Sequence, residues 1–399
     1  MDYSRNKVNT KNKIKKASPV VLQLLPSLNT GGVERGTVDV TNALASAGWG
    51  ALVVSNGGPM VPEIERAGGT HIKIPAQSKN PITMYRNIHR LINILLEYNV
   101  NILHARSRAP AWSALKAVQK VGVGFVTTFH GNYSANNQLK TNYNSIMAHG
   151  DRVIAISKFI SDQLCDRYGV STDKIRVIPR GVDTHYFDPS AVSAQRIIRL
   201  SKKWMLPDDA SVIMLPGRLT RWKGQGVMIK ALSLIKDLKN LRCIFVGSEQ
   251  GHKRYGRELR SEIQKRGLSS NFLFTGHCSD MPAAFMLSDV VVSTSTEAEA
   301  FGRVIVEAQS MGRPVIATNH GAACETISSG NTGWLVPPND EIALSSALIK
   351  ALAMEPNSRK MIAQKSMKHA RDHYTKEKMC ESTIGVYKEI LTDKMSHGG

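Results

Sequence analysis

The chain has 399 residues, 42% of them hydrophobic, with five cysteines and a formal net charge of +20 at pH 7. That length predicts two domains rather than one, and no apolar run reaches the roughly 18 residues of a membrane span, so no spanning helix is expected. The cysteines are scattered without C-x-x-C spacing, which argues against a zinc site and fits a reducing compartment.

The start of the chain is polar and basic, unlike a secretory signal. Residues 1–17 carry six Lys/Arg against one Asp and lack apolar periodicity, so this segment is expected to be a disordered basic tail. A basic balance points to a polyanion, either nucleic acid or anionic lipid. No nucleic-acid motif is present, so no nucleic-acid partner is expected.

From Val20 onward short apolar runs alternate with helical segments. Val20–Leu25 reads as a strand, and the following Leu28-Asn-Thr-Gly31-Gly32-Val-Glu34-Arg35 opens a helix, where paired glycines suit close backbone approach to a ligand. Strands are expected at Ala51–Ser55 and His71–Ile74. A helix from Met84 to Tyr98 would bury Ile88, Leu91, Ile92 and Leu95. Its polar face carries Arg86, His89 and Arg90, open to solvent or to a lipid surface. The strand Ile102–His104 leads into Arg106 and Arg108. Both should face a cleft, where they would suit a phosphate or carboxylate; structural ion pairing is the alternative. Phe125–Phe129 ends at His130-Gly131, and strands follow at Arg152–Ala155 and Ile175–Ile178. After the last of these, Asp183 reads as a turn residue.

The stretch 188–209, with Pro189 and Pro207, reads as a linker. The pattern then restarts with strands at Ser211–Leu215, Arg242–Val246, Phe272–Thr275, Val290–Ser293, Pro314–Ala317 and Gly333–Val336. Such alternation means parallel sheets with helices on both sides, an α/β fold of two doubly wound domains facing each other across a cleft. The expected divisions are 18–187, 188–209 and 210–374, with a C-terminal helix in 375–399.

The second half carries the denser chemistry. Leu215-Pro-Gly217-Arg218-Leu-Thr-Arg-Trp-Lys223-Gly224 places two cations at a strand end, where they could hold a diphosphate; a solvated basic loop is the bland reading. Ser293-Thr-Ser-Thr-Glu-Ala-Glu299-Ala-Phe301-Gly302-Arg303-Val-Ile-Val-Glu307 runs from a strand through a glycine turn into a helix N-terminus, an anion site by virtue of its free N–H groups. Glu299 in the loop and Glu307 one turn into the helix would bracket a ligand with hydroxyls at one end and phosphate at the other. Arg303 and Glu307, four apart, could instead be a plain helix pair.

The E-x7-E spacing of Glu299 and Glu307, the order G-R-L-x-x-x-K-G before it, Phe245-Val-Gly247, Phe274-Thr-Gly276, Gly312-Arg-Pro-Val-Ile-Ala317 and Gly333-Trp-Leu-Val336 together resemble the family-4 retaining glycosyltransferases of the GT-B fold. The likeness runs from Val20 to about Tyr387. Ile178-Pro179-Arg180-Gly181-Val182-Asp183 resembles the family's I-P-N-G-V-D, with Arg180 replacing the usual Asn. The resemblance implies that Glu307 accepts from the ribose diol and Glu299 from sugar hydroxyls. The backbone of Phe301, Gly302 and Arg303 would lie against sugar and diphosphate, and Arg218 and Lys223 would bind the diphosphate. Gly31 and Gly32 would border the cleft and touch the donor diphosphate or the acceptor, and His130 would approach the transferred sugar. It also implies a last helix, Thr375 to Leu391, crossing back to the first domain.

No D-x-D occurs in the chain, so no metal and no cofactor are expected beyond the donor itself, a UDP-, GDP- or ADP-sugar. The acceptor implied is a glycan or glycolipid of lipopolysaccharide core or capsule synthesis. That would make the protein cytoplasmic and peripheral at the inner membrane face. Rival readings are a nucleotide-sugar 2-epimerase or a phosphorylase of the same architecture, or a non-catalytic basic protein binding membrane or nucleic acid.

Overall fold

The computed structural model describes residues 18–29, 31–133, 137–249, 251 and 253–396; the basic segment 1–17, expected as a disordered tail, lies outside the described residues. The chain divides into two compact units. The first comprises the chain up to Ile156, Ile160–Ile178 and Glu377 onward; the second comprises Ser157–Phe159 and Pro179–Lys376.

The first unit holds a seven-stranded sheet of β1 (Val20–Leu24), β2 (Gly50–Ser55), β3 (Thr70–Lys73), β4 (Ile102–Ala105), β5 (Gly124–Phe129), β6 (Arg152–Ala155) and β7 (Ile175–Val177), in the order β3-β2-β1-β4-β5-β6-β7. Every pairing is parallel. β1, β2, β4 and β5 are buried along their whole length, as strands covered on both faces must be. The helix expected from Met84 spans Pro81–Glu97. Asn80 caps it through Ile82 N and Thr83 N, and Pro81 stands where its missing N–H costs nothing. It buries Leu91, Ile94 and Leu95 and leaves Ile82, Tyr85 and Leu96 exposed.

The last helix, Lys376–Ser396, packs Val386, Tyr387 and Ile390 against Val21, Ile102, Val126 and Ile154 of the first unit. This is the return of the chain to its first domain.

The second unit holds a six-stranded parallel sheet, β10-β9-β8-β11-β12-β13, built from β8 (Ser211–Pro216), β9 (Leu241–Val246), β10 (Phe272–Gly276), β11 (Val290–Ser293), β12 (Val315–Thr318) and β13 (Trp334–Val336). Its core gathers Ile213, Leu215, Phe245, Val290, Val292 and Ile316 with Met228, Leu344 and Leu348 from the helices. The stretch 188–209 is not a bare linker. It belongs to this unit and contains the helix Ala194–Lys203, capped by Ser193, which packs on the helix Met281–Leu287. The boundary between units falls at Ile178 and Pro179. The prolines flank the helix rather than interrupt it, and its one apolar stripe, sunk at Leu200 and continued by the buried Trp204, is short among basic residues.

Strand order reverses between β1 and β4 in one sheet and between β8 and β11 in the other. Ligands of doubly wound sheets bind at such points, outside the carboxyl ends of the strands.

Candidate active site

In the second unit the loops after β8 and β11 meet at the switch point. Backbone carbonyls of one accept from the other: Thr296 N donates to Trp222 O at 2.7 Å, and Thr294 Oγ1 donates to Lys223 O and Gly224 O, each at 3.1 Å. Gly224 makes the approach possible. Its φ is +72°, and a Cβ there would stand 1.8 Å from Thr294 O. The knit loops aim Lys223 and Glu299 at each other, Nζ to Oε1 at 2.7 Å, with side chains only 14% and 16% exposed. Glu299 also accepts from Ser293 Oγ at 3.3 Å and from Ser295 Oγ. Burial pushes its carboxyl up, but the Lys223 charge and these donors outweigh it, so the pKa lies below the ordinary value. Lys223 Nζ also lies 4.4 Å above the Trp222 ring.

The backbone of Glu299 is fixed as firmly. Its carbonyl accepts from Ala322 N at 3.0 Å, and Gly321 lies so close that a Cβ would reach 2.5 Å from it. Ser295 O accepts from Thr318 Oγ1 and stands 2.8 Å from His320 Nε2. Neither Gly321 nor His320 was legible as part of the site, because both come from the loop after β12.

Gly302 has φ +78° and forms the left-handed N-cap of the helix Arg303–Ser310, with no side-chain capping bond. The first amides of that helix therefore have no side-chain acceptor at the cap. Glu307 is buried, and its Oε1 takes Arg303 Nη2 at 2.8 Å. The i,i+4 pair left open by the sequence exists. It uses one oxygen of Glu307, and the Nε of Arg303 is buried without a partner among the described residues. Phe301 is buried with its ring edge-on to Tyr374. Burial pushes the Tyr374 hydroxyl up to about 12. Arg218 is exposed, and its guanidinium takes no bond from the described residues. The second unit thus brings Lys223 and Glu299 into contact and carries Arg218, Phe301, Gly302, Arg303 and Glu307 on the same two loops and the helix that follows.

The remaining expected residues belong to the first unit. Gly31 is the N-cap of the helix Gly32–Ser46, without a side-chain cap bond. His130 directly follows β5. The two arginines after β4 part company. Arg106 does not face a cleft: it is 4% exposed and its Nη1 donates to Gln23 Oε1 at 2.7 Å. Its own N–H still bonds Leu24 O, so it is the last rung of the ladder and its side chain packs inward. Burial lowers its pKa, opposed by Tyr387, Cys380, Asp39 and Glu34. Arg108 is half-buried, with its guanidinium 3.9 Å over the Tyr133 ring and its Nη1 on Asn144 Oδ1 at 2.5 Å.

Beneath Arg106 lies a polar pair the sequence did not announce. His104 sits fully buried between Tyr387 OH, 2.7 Å from Nδ1, and Thr128 Oγ1, 2.6 Å from Nε2. Burial and then the Arg106 charge drive its pKa well below the ordinary value. Tyr387 is 283 positions away in the chain, and no local signal links the two.

Two Rossmann-like parallel sheets of this kind, with the basic loop after the second sheet's first strand and the paired glutamates after its fourth, define the GT-B class of glycosyltransferase. The chain belongs to the glycosyltransferase families matched by two models. "Glycosyltransferase Family 4" covers residues 30–186 and "Glycosyl transferases group 1" covers residues 197–369. The crystal structure of a glycosyltransferase from Rickettsia africae is 36% identical with a TM-score of 0.87, over 94% of this chain and 99% of that one. HepE of Anabaena in complex with UDP-glucose superposes with a TM-score of 0.81 at 22% identity, over 92% of this chain and 99% of that one. The D-inositol 3-phosphate glycosyltransferase of Acidothermus cellulolyticus is 28% identical over 257 residues, 62% of this chain and 55% of that protein, so the match spans about half of that relative.

Proposed function

We propose that this glycosyltransferase is a retaining, metal-independent hexosyltransferase that moves a sugar from a UDP-, GDP- or ADP-sugar to a glycan or glycolipid acceptor, in lipopolysaccharide core or capsule synthesis. The observation that carries the reading is the Lys223–Glu299 pair at the β8/β11 switch point, beside the uncapped helix that presents Glu307. A nucleoside diphosphate needs cations and backbone donors at one end, and a sugar needs a carboxylate at the other. The loops after β8 and β11 supply both. The UDP-glucose held by HepE supports a donor of this class.

In this mechanism Arg218 and Lys223 neutralise the charge that develops on the leaving diphosphate. The C1–O bond to phosphate breaks as the acceptor oxygen bonds C1 on the same face. The leaving phosphate oxygen takes the acceptor proton, so no carboxylate nucleophile is required. Glu299, kept ionised by Lys223, orients sugar hydroxyls. In this reading the cations of the β8 loop hold the diphosphate, the role a metal would otherwise fill.

For the acceptor, Arg108 is the better placed of the two arginines to meet an acidic group; Arg106 would act from beneath it as a buried positive charge. Among the described residues no helix is long and apolar enough to cross a membrane. Peripheral attachment at the cytoplasmic face is supported by the helix Pro81–Glu97, which exposes Ile82, Tyr85 and Leu96 beside Arg86, His89 and Arg90. Isothermal titration of the metal-free protein with UDP, GDP, ADP and their sugars, beside Glu307→Ala, tests the reading. Selective binding of one nucleotide sugar, lost in the variant, is expected. Binding of none would overturn it.

A further inference from the structure

The second unit carries a pocket that the loops after β8 and β11 do not line. Its volume is about 260 Å3, and it lies between the helix Ala194–Lys203 and residues 277–280, which follow β10. β10 is the sheet's edge strand, two strands from β8. At about 4.8 Å per strand it stands roughly 10 Å away from β8.

One face of the helix supplies most of the lining. Arg196, Arg199, Leu200 and Lys203 follow at i, i+3, i+4 and i+7. Leu200 and the next residue on that side, Trp204, are buried and form an apolar floor. Arg196 is fully committed. Its Nε and Nη2 donate to Asp280 at 2.9 and 2.6 Å, and its Nη1 donates to Ala191 O at 2.9 Å. Asp280 in turn caps the helix Met281–Leu287 through Ala283 N. This pair pins the two walls together and uses the only carboxylate in the lining.

Arg199, Lys203 and His277 are exposed and take no hydrogen bond or ion pair from the described residues. They are nevertheless close to the walls. Arg196 holds the Asp280 carboxyl below the usual range and Arg199 adds to that effect, while Lys203 opposes the burial that raises the Cys278 thiol. Arg196, Arg199 and Lys203, three cations against one carboxylate, surround a floor of leucine and tryptophan. A guanidinium fork beside an ammonium suits phosphate oxygens, which are recognised by charge-assisted bonds. The apolar floor suits whatever carries the phosphate.

We propose that this pocket is a second binding site, for a phosphate monoester on a small molecule or a lipid headgroup, in which Arg199 and Lys203 hold the phosphate, His277 borders it, and Leu200 and Trp204 support the remainder of the ligand. The site is independent of glycosyl transfer and of the residues assigned to the donor.

Isothermal titration of the full chain with glucose 6-phosphate, with glucose as the uncharged control, tests it. Sedimentation with phosphatidylcholine vesicles containing phosphatidic acid tests the headgroup source. The proteins compared are the wild type, Arg199→Gln/Lys203→Gln and Lys223→Met. At least one phosphate probe is expected to bind the wild type and Lys223→Met alike and to bind the double variant at least tenfold more weakly, while glucose does not bind. Binding to the vesicles alone would assign the headgroup. Equal binding by the double variant, loss of binding in Lys223→Met instead, or no binding of either probe to the wild type would each overturn the proposal.

Discussion

Lys223 Nζ stands 2.7 Å from Glu299 Oε1, and the two side chains are shielded from water by the very loops that carry them. The family resemblance implies separate tasks for them, one on diphosphate and one on sugar, yet in the structure each is the other's counter-charge. Removing one partner of a mostly buried pair leaves an uncompensated charge, which costs about 3 kcal/mol. Lys223→Met should therefore lower unfolding free energy in urea by about that amount. Lys223→Met/Glu299→Gln should recover most of it. A double variant no more stable than Lys223→Met would mean that the pair contributes nothing to the loop.

The same pair sets an acid limit. The Glu299 pKa is below its ordinary 4.5 in the folded chain because the Lys223 charge and three hydrogen bonds overcome burial. A carboxyl with a depressed folded pKa contributes stability above its unfolded value and loses it as pH falls through the folded value. In Lys223→Met the burial remains and the main opposing charge is gone. Glu299 then no longer contributes that loss, so the fall in stability on acidification should be shallower than in the wild type. Melting temperatures between pH 3 and 7 read the difference, and superimposable profiles would refute it.

Gly224 joins the two loops by backbone alone. With φ at +72° and 1.8 Å available to a Cβ before Thr294 O, Gly224→Ala carries both conformational strain and a backbone clash. The left-handed conformation alone costs about 1 kcal/mol, and separating the loops adds to it. Gly226→Ala, two residues on in the helix Gln225–Ser233, meets nothing within 4 Å and should stabilise by up to about 1 kcal/mol. Opposite signs for these neighbouring changes in thermal melts are the expected result.

What the sequence made legible follows from range. Strand runs such as Val290–Ser293 are continuous apolar segments, and the structure places strands where they were expected. Arg218, Lys223 and Glu299 stood out as candidates because they lie on the loops that follow strand ends, where doubly wound sheets bind ligands, and Glu307 because it stands in the first turns of the helix that follows. Arg106 was misplaced because a strand end does not say which way the last side chain turns; its hydrogen bond to Leu24 O keeps it in the ladder. The helix Ala194–Lys203 was taken as linker because its apolar stripe is short. Gly321, His320, Tyr387 and Gln23 act through contacts distant in sequence, which a single sequence does not encode locally.

Tyr387 and His104 join the last helix to β4 inside the first unit. Tyr387→Phe keeps the ring and removes the hydroxyl, leaving a buried imidazole nitrogen without that partner, at about 1–3 kcal/mol. The pH dependence has its own sign. His104 is neutral when folded, its pKa pushed well below 6.5 by burial and Arg106, whereas the unfolded chain binds a proton near 6.5. Stability therefore falls as pH drops below about 6.5. His104→Gln should flatten that slope relative to the wild type in urea denaturation between pH 5 and 7. The other histidines with lowered values, His71 and His369, are present in both proteins and cancel.

Glu307 decides between the two readings of its helix. If it serves only as the partner of Arg303, the i,i+4 helix pair is worth about 0.2–0.5 kcal/mol. Arg303→Gln and Glu307→Gln would then cost stability alike and leave nucleotide affinity unchanged. If the carboxylate accepts from a ribose diol, Glu307→Gln loses a charge-assisted bond. Affinity for the nucleoside diphosphate should fall at least tenfold, about 1.4 kcal/mol, with little change in melting temperature. Arg303→Gln frees the carboxylate from its intrahelical bond and should weaken binding less than Glu307→Gln does. Equilibrium titration of both variants with the nucleotide the wild type prefers separates the outcomes, and equal affinities in all three proteins would remove Glu307 from the site.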